Sequence, residues 1–320
     1  MTGGNDLAEA MKSAYVFPGQ GSQWVGMGHD LYRNYQAARA VFEQADRALG
    51  FPLSRLCFEG PEEELVQTVN AQPAIVTVSF ACLEASRSVN AGLPRAGFVA
   101  GHSLGEYTAL AAAGVLDFAT TVYLARERGR LMHQAGEITP GGMAAIIGLD
   151  ETVLAEVCEQ TGTRIANINC PGQIVISGAR ENLSKAMEMV KERGAHRTIP
   201  LQVSGAFHTP LMQPAVDGMA EIMATLNFSN PTVPVIGNTT AQPLTTAEAV
   251  KEELLTQLCN CVQWQRSIEY MVGGGVSNFI EIGPGRVLAG LIKRIDRNVK
   301  IINIGDAEAV KNIAQGGEVG

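Results

Sequence analysis

Short apolar runs ending in glycine or proline alternate with longer stretches of helical spacing along most of the chain. AYVFPG (14–19) is stopped by Pro-Gly and predicts a buried strand followed by a turn. In NYQAARAVFEQADRAL (34–49) apolar residues recur at helical spacing and Gly50 follows, which predicts a helix and its end. PEEELV (61–66) opens with proline and glutamates, which suits a helix N-terminus. AIVTVSFACLEASRSV (74–89) is apolar enough to be a buried central helix. GFVAG (97–101) predicts a strand and LGEYTALAAAGVL (104–116) a helix. A further helix begins near Phe118, and VSNFIEIGPG (276–285) predicts a strand entering another glycine turn. Repeated strand–helix units predict an α/β fold, a mostly parallel sheet with helices on both faces.

The middle of the chain has a different rhythm. MAAIIGL (143–149), a helix over about 151–160, RIANIN (164–169), QIVISGA (173–179), a helix over about 181–193 and HRTIPL (196–201) spell β-α-β-β-α-β. That order predicts a ferredoxin-like subdomain inserted at 138–204. The large subdomain then comprises 14–137 and 205–305, with loose tails at 1–13 and 306–320.

Composition narrows the function. The chain has 320 residues, 46% hydrophobic and 18% charged, so it can bury a sizeable core. A net charge of −8 argues against nucleic acid, because nothing would neutralise phosphates. No apolar run reaches the ~18–20 residues of a membrane span; the longest candidate, 109–125, is broken by Asp117. The polar N-terminus MTGGNDLAEAMKS does not read as a signal or transit peptide, and the expected location is cytoplasmic. Six cysteines without redox or zinc spacing read as free thiols. No metal-ligand spacing is present, and Gly19, Gly21 and Gly26 do not make a dinucleotide fingerprint, so no tightly bound cofactor is expected.

The chemistry concentrates in VAGHSLGEY (99–107). Ser103 lies between Gly101 and Gly105 at a predicted strand-to-helix corner, the arrangement of a nucleophile elbow. A serine needs a base, and the chain holds five histidines. His29 lies in a polar helical stretch, His133 on a helix with arginines, and His196 near a strand start. His102 adjoins the serine and is expected to pack against or orient the elbow. His208, in the apolar loop VSGAFHTPLM, is the favoured base. No histidine follows residue 208, so the late-His order of α/β-hydrolases does not fit, and a Ser–His dyad oriented by a backbone carbonyl or amide fits better.

Seven segments together resemble one family. FPGQGSQ (17–23), GHSLGEY (101–107), RGRLM (128–132), NINCPGQIVISG (167–178), GAFHTPLM (205–212), VQWQRSIEYM (262–271) and EIGPGRVLAGL (281–291) are similar to the malonyl-CoA:acyl carrier protein transacylases, including acyltransferases that serve polyketide synthases. The resemblance runs from about 14 to 305 and implies a hydrolase-like core with a ferredoxin-like insert. It implies Ser103 as the acylated nucleophile and His208 as its base. It further implies the N–H groups of Gln20 and Leu104 as the oxyanion hole, and the Gln263 carbonyl as the group orienting the base. Arg128 would pair with the free carboxylate of a malonyl group, a role its planar guanidinium suits. Phe207, beside the base, would narrow the acyl pocket towards malonyl over methylmalonyl, and Met132 and His102 would line it.

The implied activity is ping-pong transfer of malonyl from malonyl-CoA to a holo acyl carrier protein, for fatty acid or polyketide synthesis, by a monomer. Lys293, Arg294 and Arg297 are candidates for a basic docking patch. Two other readings stay open: an acyl hydrolase using the same dyad to clear carrier proteins, and a non-catalytic module that only binds carrier protein.

Overall fold

The computed structural model describes residues 12–89 and 93–315. Its strands are β1 (Ser13–Phe17), β2 (Phe98–Gly101), β3 (Gly141–Ile147), β4 (Arg164–Cys170), β5 (Gln173–Ala179), β6 (Arg197–Pro200), β7 (Val235–Ile236), β8 (Pro243–Leu244), β9 (Asn278–Ile282) and β10 (Lys300–Ile304). They form two sheets, in the orders β10-β9-β1-β2-β7-β8 and β4-β5-β3-β6. In the first, every pairing is parallel except that of β8 with β7. In the second, every pairing is antiparallel. The fold is therefore α/β with a mostly parallel sheet, as the alternation predicts. The second sheet has the strand order of a ferredoxin-like unit, its helices Glu151–Thr161 and Arg180–Glu192 covering one face.

β1 and β2 are buried along their whole length, which is why they read as unbroken apolar runs. The helix expected over 74–89 spans Thr68–Arg87 and is buried on nearly every side, with Pro73 inside it. It packs beside Phe118–Ile138, which starts where the Asp117 side chain accepts the Thr120 N–H at 2.7 Å.

Three features were not visible in the pattern. β7 and β8 have two residues each, too few for an alternation to register. β10, the edge strand KIINI, is only partly covered along most of its length. The segment from 306, expected as a loose tail, is corrected by the structure. Asp306 accepts the Ala309 N–H and caps the helix Ala307–Ala314, whose Ala309 and Val310 join the main core. Ser13, also expected in a loose tail, opens β1 and pairs with Asn278 of β9, while residues 1–11 and 316–320 lie outside the described residues.

Candidate active site

The elbow is built by close packing. β2 ends at Gly101, and the helix Gly105–Ala112 starts four residues later. A Cβ on Gly101 would fall 1.9 Å from the Gly105 carbonyl carbon, and one on Gly105 would fall 2.1 Å from Phe17 O. Only glycine permits strand, turn and helix to pass this closely. Ser103 is held at φ 50°, a left-handed conformation that L-residues rarely adopt. Asn238 pins the corner. Its Oδ1 accepts the Ser103 N–H at 2.7 Å, and its Nδ2 donates to Gly101 O at 2.8 Å.

Ser103 Oγ lies 2.8 Å from His208 Nε2. His208 Nδ1 lies 2.8 Å from the backbone oxygen of Gln257. A carbonyl can only accept, so Nδ1 carries the proton and Nε2 is free to accept the serine hydroxyl proton. Burial, then the charge of Arg128, push the His208 pKa down to about 3. The ring is therefore neutral, the state a base requires.

Gln263 does not orient the base, contrary to expectation. Its carbonyl accepts from Ser267 N at 2.9 Å and Ser267 Oγ at 3.1 Å, in the first turn of the helix Trp264–Gly273. The acceptor for His208 is supplied six residues earlier, by Gln257 at the end of the helix Ala247–Gln257. Gln263 contributes instead through its N–H, which donates to Asn238 O at 2.7 Å.

Arg128 is 1% exposed. It occupies the apolar stripe of its helix, in register with Leu124, Ala125 and Met132, whereas Arg126 and Arg130 are only partly buried. Arg128 donates to Gln72 Oε1 at 2.8 Å, to Gln257 Oε1 at 2.8 Å and to Ser103 Oγ at 3.1 Å. Among the described residues its Nε–H makes no hydrogen bond within ordinary geometry, and its guanidinium carbon lies 5.6 Å from the Tyr107 ring centre. Burial lowers its pKa, opposed by Tyr107 and Glu106. Among the described residues no carboxylate pairs with it directly. Gln72 in turn donates to Thr68 Oγ1, whose hydroxyl donates to Gln20 Oε1, each at 2.9 Å.

These groups open on a cleft of about 490 Å³ between the two sheets. Gln20, Leu104, Met132, Phe207 and His102 all line it, together with Ser103, Arg128 and His208. His102 also reaches across to the small sheet, donating from Nε2 to Asn169 Oδ1 at 2.8 Å. Among the described residues no three His, Cys, Asp or Glu side chains converge as a metal site would need. Lys293 and Arg294 are partly engaged: Lys293 donates to Val299 O, and Arg294 to Gln173 Oε1 and Pro171 O. Arg297 is exposed.

Sequence reasoning missed Gln72, Glu106, Asn238 and Gln257. Glu106 carried a signal, a lone acid in an apolar helix; the other three are polar residues whose partners lie far off in sequence.

The sequence matches the acyl transferase domain family over residues 14–312. It is 46% identical over 305 residues to the malonyl CoA-acyl carrier protein transacylase of Bacillus subtilis, covering 94% of this chain and 95% of that one. Against its Escherichia coli K12 namesake it is 44% identical over 286 residues, covering 88% and 92%. The acyl-carrier-protein-S-malonyltransferase structure from Bartonella henselae superposes with a TM-score of 0.91 at 42% identity, covering 95% and 98% of the two chains. A type II PKS acyl-carrier protein in complex with its malonyl-transacylase gives 0.89 at 38%, covering 96% and 100%. The elbow serine, its histidine and the buried arginine thus stand in a chain that belongs to the acyl transferase domain family.

Proposed function

We propose that this protein moves a malonyl group from malonyl-CoA to the phosphopantetheine thiol of an acyl carrier protein, through a malonyl ester on Ser103. The observation that carries the reading is Arg128: a buried cation that no carboxylate among the described residues pairs with directly, its guanidinium 3.1 Å from the nucleophile oxygen. Burying a charge costs several kcal/mol, on the order of 3–5, unless it is paired. The substrate carboxylate supplies that pair, whereas an acetyl group leaves the site as it was.

His208 Nε2 takes the Ser103 proton as Oγ attacks the thioester carbon. The N–H groups of Gln20 and Leu104 hold the resulting oxyanion. The intermediate collapses, the C–S bond breaks, and the CoA sulfur leaves with the proton from His208. The carrier thiol then gives its proton to His208 and attacks the ester, restoring Ser103. The Gln257 carbonyl keeps the imidazole in the required tautomer throughout. Phe207 is buried on the cleft wall, and its bulk selects against an α-methyl branch in this reading. His102 and Met132 complete the wall, and the enzyme works as a cytoplasmic monomer without a bound cofactor. Its six cysteines are free thiols, which suits a reducing compartment.

The test is intact-protein mass spectrometry after brief mixing with equimolar malonyl-, methylmalonyl- and acetyl-CoA. The expected adduct is malonyl, absent in Ser103→Ala, with methylmalonyl gaining in Phe207→Ser. A mainly acetyl adduct, or a malonyl adduct surviving Ser103→Ala, contradicts the reading.

A further inference from the structure

Gln257 meets the site through more than its backbone. Its side-chain Oε1 accepts from Arg128 at 2.8 Å, while its Nε2 donates to Ser103 O at 3.0 Å and to Glu106 Oε2 at 2.5 Å. Glu106 is fully buried. Its Oε1 accepts from the backbone N and the Nδ2 of Asn238, both at 2.9 Å. Among the described residues every hydrogen-bond partner of this carboxyl is an N–H donor, and none of the three accepts a proton from it. Burial first, then the neighbouring Glu253, raise its pKa well above the usual carboxylate range, although the three donors favour the anion. The hydrogen-bond pattern is that of a carboxylate. It lies one amide away from Arg128, with the Gln257 amide turned oxygen to the cation and N–H to the anion.

We infer that Glu106 is a positioning residue for substrate selection: by fixing which way round the Gln257 amide stands, it holds the Arg128 guanidinium at the cleft with a counter-charge that does not occupy it. The inference rests on Arg128 being the seat of the substrate carboxylate. A carboxylate in direct contact with Arg128 would fill the planar fork and compete with the substrate. A counter-charge relayed through an amide compensates the buried cation and leaves its Nε–H without a hydrogen bond among the described residues.

Glu106→Gln tests the relay because it keeps the shape and changes one acceptor into a donor. The new amide keeps its oxygen on the Asn238 side, where two N–H groups need it, and turns its NH2 towards Gln257. Gln257 must then rotate and present its own NH2 to Arg128, donor against donor. A lost bond to a charged group corresponds to a fall of about tenfold or more. The readout is the ratio of kcat/KM for malonyl-CoA and acetyl-CoA loading. We expect Glu106→Gln to lower this ratio about tenfold or more, mainly through the malonyl-CoA KM. Gln257→Met, which removes the amide and keeps the backbone carbonyl, should lower it likewise, and adding Glu106→Gln to that variant should change it little further.

Arg128→Ala separates the two claims. If it leaves the ratio unchanged, the reading of Arg128 fails and the inference with it. If Arg128→Ala collapses the ratio while Glu106→Gln slows both donors equally, Glu106 is merely structural and the inference is overturned. Should Glu106→Gln not fold, Gln257→Met decides alone, an unchanged ratio overturning the relay.

Discussion

Ser103 and His208 both have positive φ, 50° and 60°, although neither is a glycine. Both therefore sit in strained backbone at the point where they meet. The strain was half legible. The glycines flanking Ser103 announce a tight corner, but nothing in GAFHTP marks His208 as left-handed. Arg128 was legible through the family resemblance and the chemistry of a substrate carboxylate; its burial, four residues before Met132 on an apolar stripe, is shown by the structure. Gln257 was not. Two glutamines lie six residues apart near one end of the site, and only the fold decides which carbonyl is free. The lowered pKa of His208 gives a prediction at this scale. The base is already neutral well below the usual histidine range, so malonyl loading should show no histidine inflection between pH 5 and 8. The same shift acts on stability. The unfolded chain takes up a proton below about 6.5 that the folded protein refuses until about 3, so this group makes stability fall as pH drops through that window. Loading rates that titrate near 6.5 would contradict the neutral buried base.

Among the elements, those with a strong period declared themselves in the sequence, and those defined by their partners did not. The six elements of the small sheet were visible because their alternation is regular and their helices are amphipathic. The two-residue strand β7 forms on the edge that β2 offers, and β8 in turn pairs with β7. The helix Val287–Ile295 is a further case. Its N-terminus is held from a distance by Glu281 on β9, whose carboxylate accepts the N–H groups of Leu288 at 3.0 Å and Ala289 at 2.8 Å. Burial pushes that carboxyl up to about 7. Val287, Leu288 and Leu291 of this helix line the cleft. Glu281→Ala leaves one buried and one partly buried donor without their acceptor and should lower stability by about 1–3 kcal/mol in urea denaturation. An unchanged midpoint would mean that the helix start does not depend on Glu281.

For the whole molecule, function follows from how the two sheets face each other across one cleft. β2 of the parallel sheet brings the elbow, the loop after β6 the base and the helix Phe118–Ile138 the arginine; β3, β4 and β5 bring Met143, Asn167, Asn169 and Val175 to the cleft wall. The insertion was legible in the sequence, but which of its residues face the serine was not, because that depends on docking rather than on local pattern. Arg294 ties the two parts together at the rim through Gln173 and Pro171. Through Gln173, which lines the cleft, Arg294 puts positive charge at its rim in a protein with net charge −8, and Arg297, three residues on, is exposed. If an acidic carrier protein docks there, Arg294→Glu with Arg297→Glu should raise the carrier-protein KM several-fold at low salt. Loading by malonyl-CoA should be unaffected, and a KM that does not move would place docking elsewhere.

The central claim is that Ser103 passes a malonyl group on rather than releasing it. Its most direct test is a single-turnover experiment. The enzyme is loaded with malonyl-CoA, freed of excess donor, and mixed with holo carrier protein while both proteins are followed by mass. The account predicts malonyl-carrier protein appearing as fast as the Ser103 ester disappears, and a long-lived ester when carrier protein is withheld. Free malonate released at the same rate with or without carrier protein would contradict it and make the protein a hydrolase.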